Sequence, residues 1–522
     1  MSDGPPQDLH LEKPGANAGT PAALNADAGD GIESLQANSP AGDMPAEDFR
    51  RFGHEIIDWI ADYWEHPERY PVSPDVEPGA LVDSLPASGP ESGESMERIL
   101  ADFEKQVLPH VTHWNHPGFM AYFATTGSAP GVLGDLLASA LNPIGLLWKT
   151  CPALVELEQV TLRWLAEWMG LPTDWFAMTL GGASTGTIHA VIAAREAALA
   201  DDREAGGGLG ESSRLRLYTS AQAHSSVEKA ALALGLDRQH CRKIDVDDAF
   251  RMRPDRLAQA IDTDLAAGLR PFCVVATVGT TSTSSIDPVP ALADICERNA
   301  LWLHVDAAYA GSAAIVPEKR HILDGCERAD SFLFNPHKWL FVPMDLTAFY
   351  TRRPRELRAA LSLVPEYLRS QENSRAVNFM EYSLPLGRRF RGLKLWFVLR
   401  HFGRDGLVAN LREHMRLAQH FAARLEEHPD FVLMAPVPFS LVCFRYQPPG
   451  VAASELDSLN QRLLDAVNVS GEFFLSHTTL DDRLTLRVAI GNIRTTQAHV
   501  DRLWRVLDGS AERLLKDSPA KT

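Results

Sequence analysis

Ser331-Phe332-Leu333-Phe334-Asn335-Pro336-His337-Lys338-Trp339 is an apolar run of strand length that stops at Asn-Pro and leaves a lysine between two rings. A second edge of the same kind lies upstream, in Leu301-Trp302-Leu303-His304-Val305-Asp306-Ala307-Ala308-Tyr309, where an aspartate follows directly on the run. Outward from these two edges the pattern alternates. Strand-like runs at 176–180, 215–219, 273–278, 301–305, 331–334 and 347–350 are separated by helix-like stretches such as 185–200, 226–236 and 254–267. That alternation predicts βα units, a mainly parallel sheet and a ligand at the C-terminal strand ends. His224, Thr281, Asp306 and Lys338 all fall just after strand-like runs, so this topology gathers them at one edge.

A lysine and an aspartate so placed are the two groups that pyridoxal 5′-phosphate (PLP) chemistry needs. The amine forms a Schiff base, and the carboxylate keeps a pyridinium nitrogen protonated. Ala307 and Ala308 leave room beside Asp306 for a flat ring. Gly181-Gly182-Ala183-Ser184-Thr185-Gly186-Thr187 joins a strand to a helix. Alone, it is either a plain turn with a hydroxyl cap or a dianion cradle of helix N-terminal N–H groups. Beside Asp306 and Lys338, phosphate binding is the favoured reading. Gly206-Gly207-Gly208-Leu209-Gly210 has no strand before it and no Lys-Ser/Thr after it, and reads as a loop. His224-Ser225-Ser226, taken by itself, reads more readily as a helix cap than as a ligand wall.

The 522 residues call for two or three domains, and 45% hydrophobic with 23% charged residues is ordinary for a globular protein. A formal net charge of −18 argues against a nucleic-acid or anionic-membrane surface. No apolar run reaches membrane-spanning length, and the N-terminus lacks a secretory pattern. The six cysteines are scattered, without a CxxC pair, and there is no HExxH. A reducing, cytoplasmic compartment and no metal site are the expectation. Residues 1–44, rich in Ala, Gly, Pro, Asn and Asp, read as a disordered tail. Beyond it we expect a helical N-terminal dimerisation segment over 45–126, a PLP-binding large domain over 127–404 and a small α+β domain over 405–522. In the first of these, Phe49, Phe52, Ile56, Ile57, Ile60 and Tyr63 recur at helical spacing, with Trp59 and Trp64 widening the face. Core packing within one chain and packing on a second subunit are equally open readings of that face.

Several separate motifs in order carry a resemblance. They are residues 49–64, His116-Pro117 to Phe123, Ala223-His224-Ser225-Ser226, Gly279-Thr280-Thr281, His304 to Gly311, Asn335 to Trp339, and Pro385-Leu386-Gly387-Arg388-Arg389-Phe390-Arg391. From about Met44 to Leu507 the chain resembles the group II PLP-dependent amino-acid decarboxylases, most of all the aromatic-L-amino-acid branch with its DOPA, tryptophan and tyrosine decarboxylases. The resemblance implies an α/β fold of PLP fold type I, and a homodimer with active sites at the interface. It implies decarboxylation of an aromatic L-amino acid to its amine. By the same match Lys338 binds PLP as a Schiff base, Asp306 pairs with the ring nitrogen and His224 stacks on the ring. Thr281 lies near the ring, and Ala183, Ser184, Asn335 and His337 hold the phosphate. Gly182 stands where animal members often have serine. Tyr367 matches the tyrosine of the family's catalytic loop, which protonates the α-carbon.

Trp114, Tyr122, Phe123, Thr125, Ile144, Leu146 and Gly387 match substrate-pocket positions, Ile144 and Leu146 reaching across the dimer. An apolar, aromatic pocket suits a phenol, catechol or indole, and Gly387 leaves space for the last. Leu146, Ala124 and Val155 depart from a common aromatic, proline and threonine. Two other readings stay open: a PLP-dependent aldehyde synthase, which typically lacks the loop tyrosine or the stacking histidine, and a non-catalytic PLP-binding protein.

Overall fold

The computed structural model describes residues 42–204, 214–363 and 376–516. Most of the tail expected to be disordered, and Tyr367, lie outside the described residues. The dominant element is a sheet of seven strands. These are β1 (Phe176–Leu180), β2 (Leu215–Ser220), β3 (Cys241–Ile244), β4 (Arg270–Thr277), β5 (Trp302–Asp306), β6 (Ser331–Phe334) and β7 (Thr347–Thr351), in the spatial order β1-β7-β6-β5-β4-β2-β3. Only β7 runs against its neighbours; β6, β5, β4, β2 and β3 pair in parallel. The fold is the mainly parallel α/β arrangement that the alternating pattern predicts, and it agrees with the fold type I that the resemblance implies.

The strands are buried on both faces, as parallel strands between helices must be. On β5, Leu303 and Val305 join one apolar cluster with Leu162, Leu165 and Met169 of helix Pro152–Met169. Trp302 joins the opposite cluster with Ala190, Val191 and Ala194 of helix Ala183–Glu204. Local signals set these helices. Pro152 occupies the first turn, where no N–H is needed. Gly170 (φ 81°) closes the same helix, and the Leu171 N–H returns to Ala166 O at 2.9 Å. The sequence pattern misses β3, whose four residues include Arg242 and Lys243.

Helix Arg391–Glu427, interrupted at Gly403 (φ 61°), leads to a second sheet. That sheet is antiparallel, in the order β10-β11-β9-β8, from β8 (Phe431–Leu433), β9 (Leu441–Tyr446), β10 (Ser476–Leu480) and β11 (Arg483–Ala489). Helices Ala453–Val469 and Gln497–Lys516 bury Leu463, Val467, Leu503 and Leu507 in its core. The described residues up to Tyr63 form a separate unit. It is built on helix Ala46–Glu65, in which Phe52 is buried while Phe49 is 64% exposed and Ile56 and Ile57 are also exposed. Among the described residues no helix is long and apolar enough to cross a membrane.

Candidate active site

One cavity of about 220 Å³, open to solvent, lies at the C-terminal ends of β1, β2, β4, β5 and β6. Parallel strands aim their outgoing loops to the same side, which is why residues far apart in the chain meet here. Asp306 ends β5 and is 4% exposed; its Oδ1 accepts the Ala308 N–H at 3.0 Å. The loops after β5 and β6 are tied together, because Asn335 N–H donates to Ala308 O at 3.0 Å. The short turn Pro336–Trp339 then presents Lys338 to the cavity, its N–H closing on Asn335 O at 2.9 Å. Burial lowers the Lys338 pKa while Asp306 opposes the shift, so the amine is easier to deprotonate than a free lysine.

An aromatic stack supports the lysine. The Lys338 Nζ lies 5.4 Å from the Phe123 ring centre, Phe123 stacks on Tyr309 at 3.8 Å, and Tyr309 stacks on Trp339 at 4.7 Å. Trp339 Nε1–H donates to His414 Nδ1 at 3.0 Å, which anchors the stack to helix Arg391–Glu427. Gly279 (φ 89°) must be glycine, since a Cβ there would collide with Ala310.

At the opposite wall, helix Ala183–Glu204 begins on the cavity. The first N–H groups of a helix have no partner within it and favour an anion. Beyond Gly182 and its two chain neighbours, nothing lies within 4 Å of the point where a Gly182 Cβ would stand, so the mouth of this cradle is open. Asn335 and His337 line the same wall. The His337 Nδ1 lies 2.7 Å from Leu346 O and 3.1 Å from Leu346 N, leaving Nε2 for a ligand. Burial lowers the His337 pKa to about 4, so it binds as a neutral ring. His224 also lines the cavity. Its Nδ1 accepts the Ser226 N–H at 3.1 Å, so the capping bond itself fixes the ring. Burial lowers its pKa too, against the pull of Asp306. An open helix terminus, a buried carboxylate and a lysine of lowered pKa around one cavity fit the phosphate, ring nitrogen and carbonyl of PLP.

The cavity thus gathers Lys338, Asp306, His224, Phe123, Ala183, Ser184, Thr281, Ala308, Asn335 and His337. Trp114, Tyr122, Thr125, Ile144, Leu146 and Gly387 do not line it. Trp114 and Tyr122 stack at 5.9 Å near its rim residue Phe123 in the sequence, and Ile144 Cγ2 lies 4.0 Å from where a Gly387 Cβ would stand. Sequence reasoning missed Thr277 and Met344 in the wall, and Arg487 behind it. Arg487, on β11, is 4% exposed and donates to Ser282 O, Thr281 O (2.7 Å) and Ser476 Oγ, bracing the loop that carries Thr281. Its strand pattern reads only as an alternating edge, so no local signal marks it.

A parallel sheet with a lysine after β6 and an aspartate ending β5, facing a helix N-terminus, defines a PLP enzyme of fold type I. Residues 78–447 match the pyridoxal-dependent decarboxylase conserved domain. An aromatic-L-amino-acid decarboxylase of Sus scrofa is 42% identical over 92% of this chain and 99% of its own length. A phenylacetaldehyde synthase of Arabidopsis thaliana is 40% identical over 90% of this chain and 97% of its own. The crystal structure of Oryza sativa TDC with PLP and tryptamine superposes with a TM-score of 0.88, at 37% identity, covering 91% of this chain and 99% of that one. The chain belongs to the pyridoxal-dependent decarboxylase family, in its aromatic branch. It is a PLP-dependent carboxy-lyase acting on an amino acid.

Proposed function

We propose that this enzyme converts an aromatic L-amino acid to the corresponding amine and CO2, with Lys338, Asp306, His224 and Tyr367 as its catalytic groups. The observation that carries the reading is the convergence of Lys338, Asp306 and His224 on one cavity above an aromatic stack. PLP, when bound, supplies an electrophilic carbonyl for amines and a protonated ring that accepts the electron pair left by departing CO2. Lys338 Nζ would hold that carbonyl carbon, and its lowered pKa favours the unprotonated, nucleophilic amine. The first-turn N–H groups of Ala183 and Ser184, with Asn335 and His337, would hold the phosphate. Asp306 would keep the proton on the ring nitrogen. His224 would cover the ring face, and Thr281 would lie near it. Tyr367 Oη delivers a proton to the substrate α-carbon.

The substrate side chain meets Trp114, Tyr122, Phe123, Thr125 and Gly387, together with Ile144 and Leu146 of a second copy. A homodimer with its active sites at the interface is therefore part of the proposal. Supporting it, Ile144 is 55% exposed, and helix Ala129–Leu141 leaves Leu133, Leu136, Leu137 and Leu141 at the surface of one chain. The domain division at about residues 126 and 404, and a cytoplasmic location, belong to the same reading; six unpaired cysteines support the location.

The test is incubation of purified protein with PLP and each of tyrosine, DOPA, phenylalanine, tryptophan, 5-hydroxytryptophan and glutamate. Equal CO2 and amine from an aromatic substrate, without oxygen uptake, is the expected result. Glutamate as the best substrate overturns the aromatic reading. Aldehyde with oxygen uptake overturns the amine reading in favour of a synthase.

A further inference from the structure

Asp306 shares a face of β5 with Trp302 and His304, because alternate residues of a strand lie on one face. On the neighbouring strands Thr277 of β4 pairs with Asp306, and Ser331 of β6 pairs with His304. His304 is wholly buried. Two polar atoms beside this column are buried without a hydrogen-bond partner, His304 Nε2 and Thr277 Oγ1. A buried polar atom left unpaired costs about 1–3 kcal/mol, so two on the strand positions beside Asp306 ask for a reason.

The neighbours decide where the histidine proton sits. An indole nitrogen can only donate, so Trp302 Nε1–H donates to Ser331 Oγ, 2.9 Å away. Ser331 Oγ lies 2.9 Å from His304 Nδ1. A hydroxyl oxygen can accept twice, but Nδ1 is the acceptor within reach of the Ser331 proton among its described contacts, so the arrangement that leaves fewest buried groups unpaired has the hydroxyl donating to Nδ1. Burial lowers the His304 pKa to about 4, so the ring is neutral and its single proton belongs on Nε2. The N–H dipole thus fixed lies in a dry column two residues from Asp306. A dipole that cannot reorient acts strongly there, because no water screens it.

We propose that His304 is a positioning residue for Asp306: the Trp302–Ser331–His304 chain fixes an Nε2–H dipole that holds the Asp306 carboxylate in its anionic form, and the Thr277 hydroxyl assists from the adjacent strand. The role follows from chemistry. A carboxylate that shares a proton with a pyridine nitrogen keeps the proton on nitrogen only while the anion is better stabilised than the acid. The inference rests on the PLP reading of Asp306 and Lys338.

The test uses holoenzyme loaded with PLP labelled with ¹⁵N in the ring. Solid-state NMR reads the protonation of that nitrogen, titration reads PLP affinity, and thermal melting reads the fold. Wild type should show a protonated ring nitrogen. His304→Leu and Ser331→Ala should move the ¹⁵N shift towards neutral pyridine and weaken PLP binding about tenfold, while His304→Gln, which retains an N–H near the Nε2 position, should recover part of the shift. Should His304→Leu fail to fold, Ser331→Ala decides, since it leaves the imidazole in place and removes the hydroxyl that orients it, together with the acceptor of the Trp302 indole N–H. An unchanged ¹⁵N shift and PLP affinity in folded Ser331→Ala and His304→Leu overturns the role of His304. Wild type that binds no PLP overturns instead the reading beneath it.

Discussion

The two sides of the active site are built differently. On the cofactor side, Asp306, Asn335, His337 and Lys338 sit on strand ends and tight turns, and backbone hydrogen bonds hold their loops together. On the substrate side, Tyr122 is 52% exposed, and Trp114, Ile144, Leu384 and Leu386 also face solvent in one chain. Cofactor binding needs a preorganised dianion cradle and a fixed carboxylate, which a single sheet edge can supply. A pocket for a variable side chain needs only an apolar wall, and that wall can come from another copy. In the proposed arrangement one chain therefore supplies the PLP cradle and leaves part of the substrate wall to another copy.

The sharpest way to break this contrast is Lys338→Ala. If the cradle is self-sufficient, the variant should keep measurable PLP affinity through the phosphate contacts yet lose nearly all turnover, on the order of 10⁴-fold or more. Borohydride reduction of wild type should fix PLP to the peptide containing Lys338; label on another lysine would refute the assignment. Asp306→Asn is close to isosteric and should spare folding. It removes the charge that retains the ring proton, and kcat should fall on the order of a thousandfold, roughly 4 kcal/mol of barrier. A kcat within about threefold of wild type would rule out the role.

Tyr367→Phe moves the question to the proton at the α-carbon. Deleting the one proton its hydroxyl can deliver should cost roughly 10²–10⁴-fold in amine formation. Oxygen uptake with aldehyde, ammonia and peroxide should replace part of the amine; an oxygen electrode and chromatography measure both. Normal amine yield without oxygen uptake would pass the proton to His224 or water.

The smallest effect concerns the open side. Leu137→Glu sits on the exposed face of helix Ala129–Leu141 and should leave the monomer fold and its melting temperature nearly unchanged. If a second copy covers that face, dimer affinity should weaken by about 10–100-fold, the loss of one buried leucine. Sedimentation velocity with a dilution series of activity would show it. A monodisperse species of unchanged mass and dilution-independent activity would remove this helix from the interface.

The strand ends that carry Asp306 and Lys338 were legible in the chain because apolar runs of strand length stop abruptly at polar residues. Phe123 was legible through motif order rather than periodicity, and the candidate phosphate segment at Ala183 through small and hydroxyl residues between a strand and a helix. Helix Ala46–Glu65 was legible as a helix, but its exposed Phe49 and Ile57 were not, since spacing defines an apolar face without naming what covers it. Arg487 and Thr277 left no mark, because an arginine in an alternating strand and a threonine in an apolar one are ordinary.

Sequence by itself determined the lysine and aspartate that PLP chemistry needs and the alternation that makes a parallel sheet, since both are encoded in residue type and local period, and its motif order carried the resemblance that implies the reaction. Only tertiary structure decided that Arg487 braces the Thr281 loop, that Phe123 stacks beneath Lys338, and that His304 bonds Ser331 beside Asp306. Those contacts join residues far apart in the chain. Which atoms meet across such distances depends on strand order and register, and these are settled by packing the whole core at once.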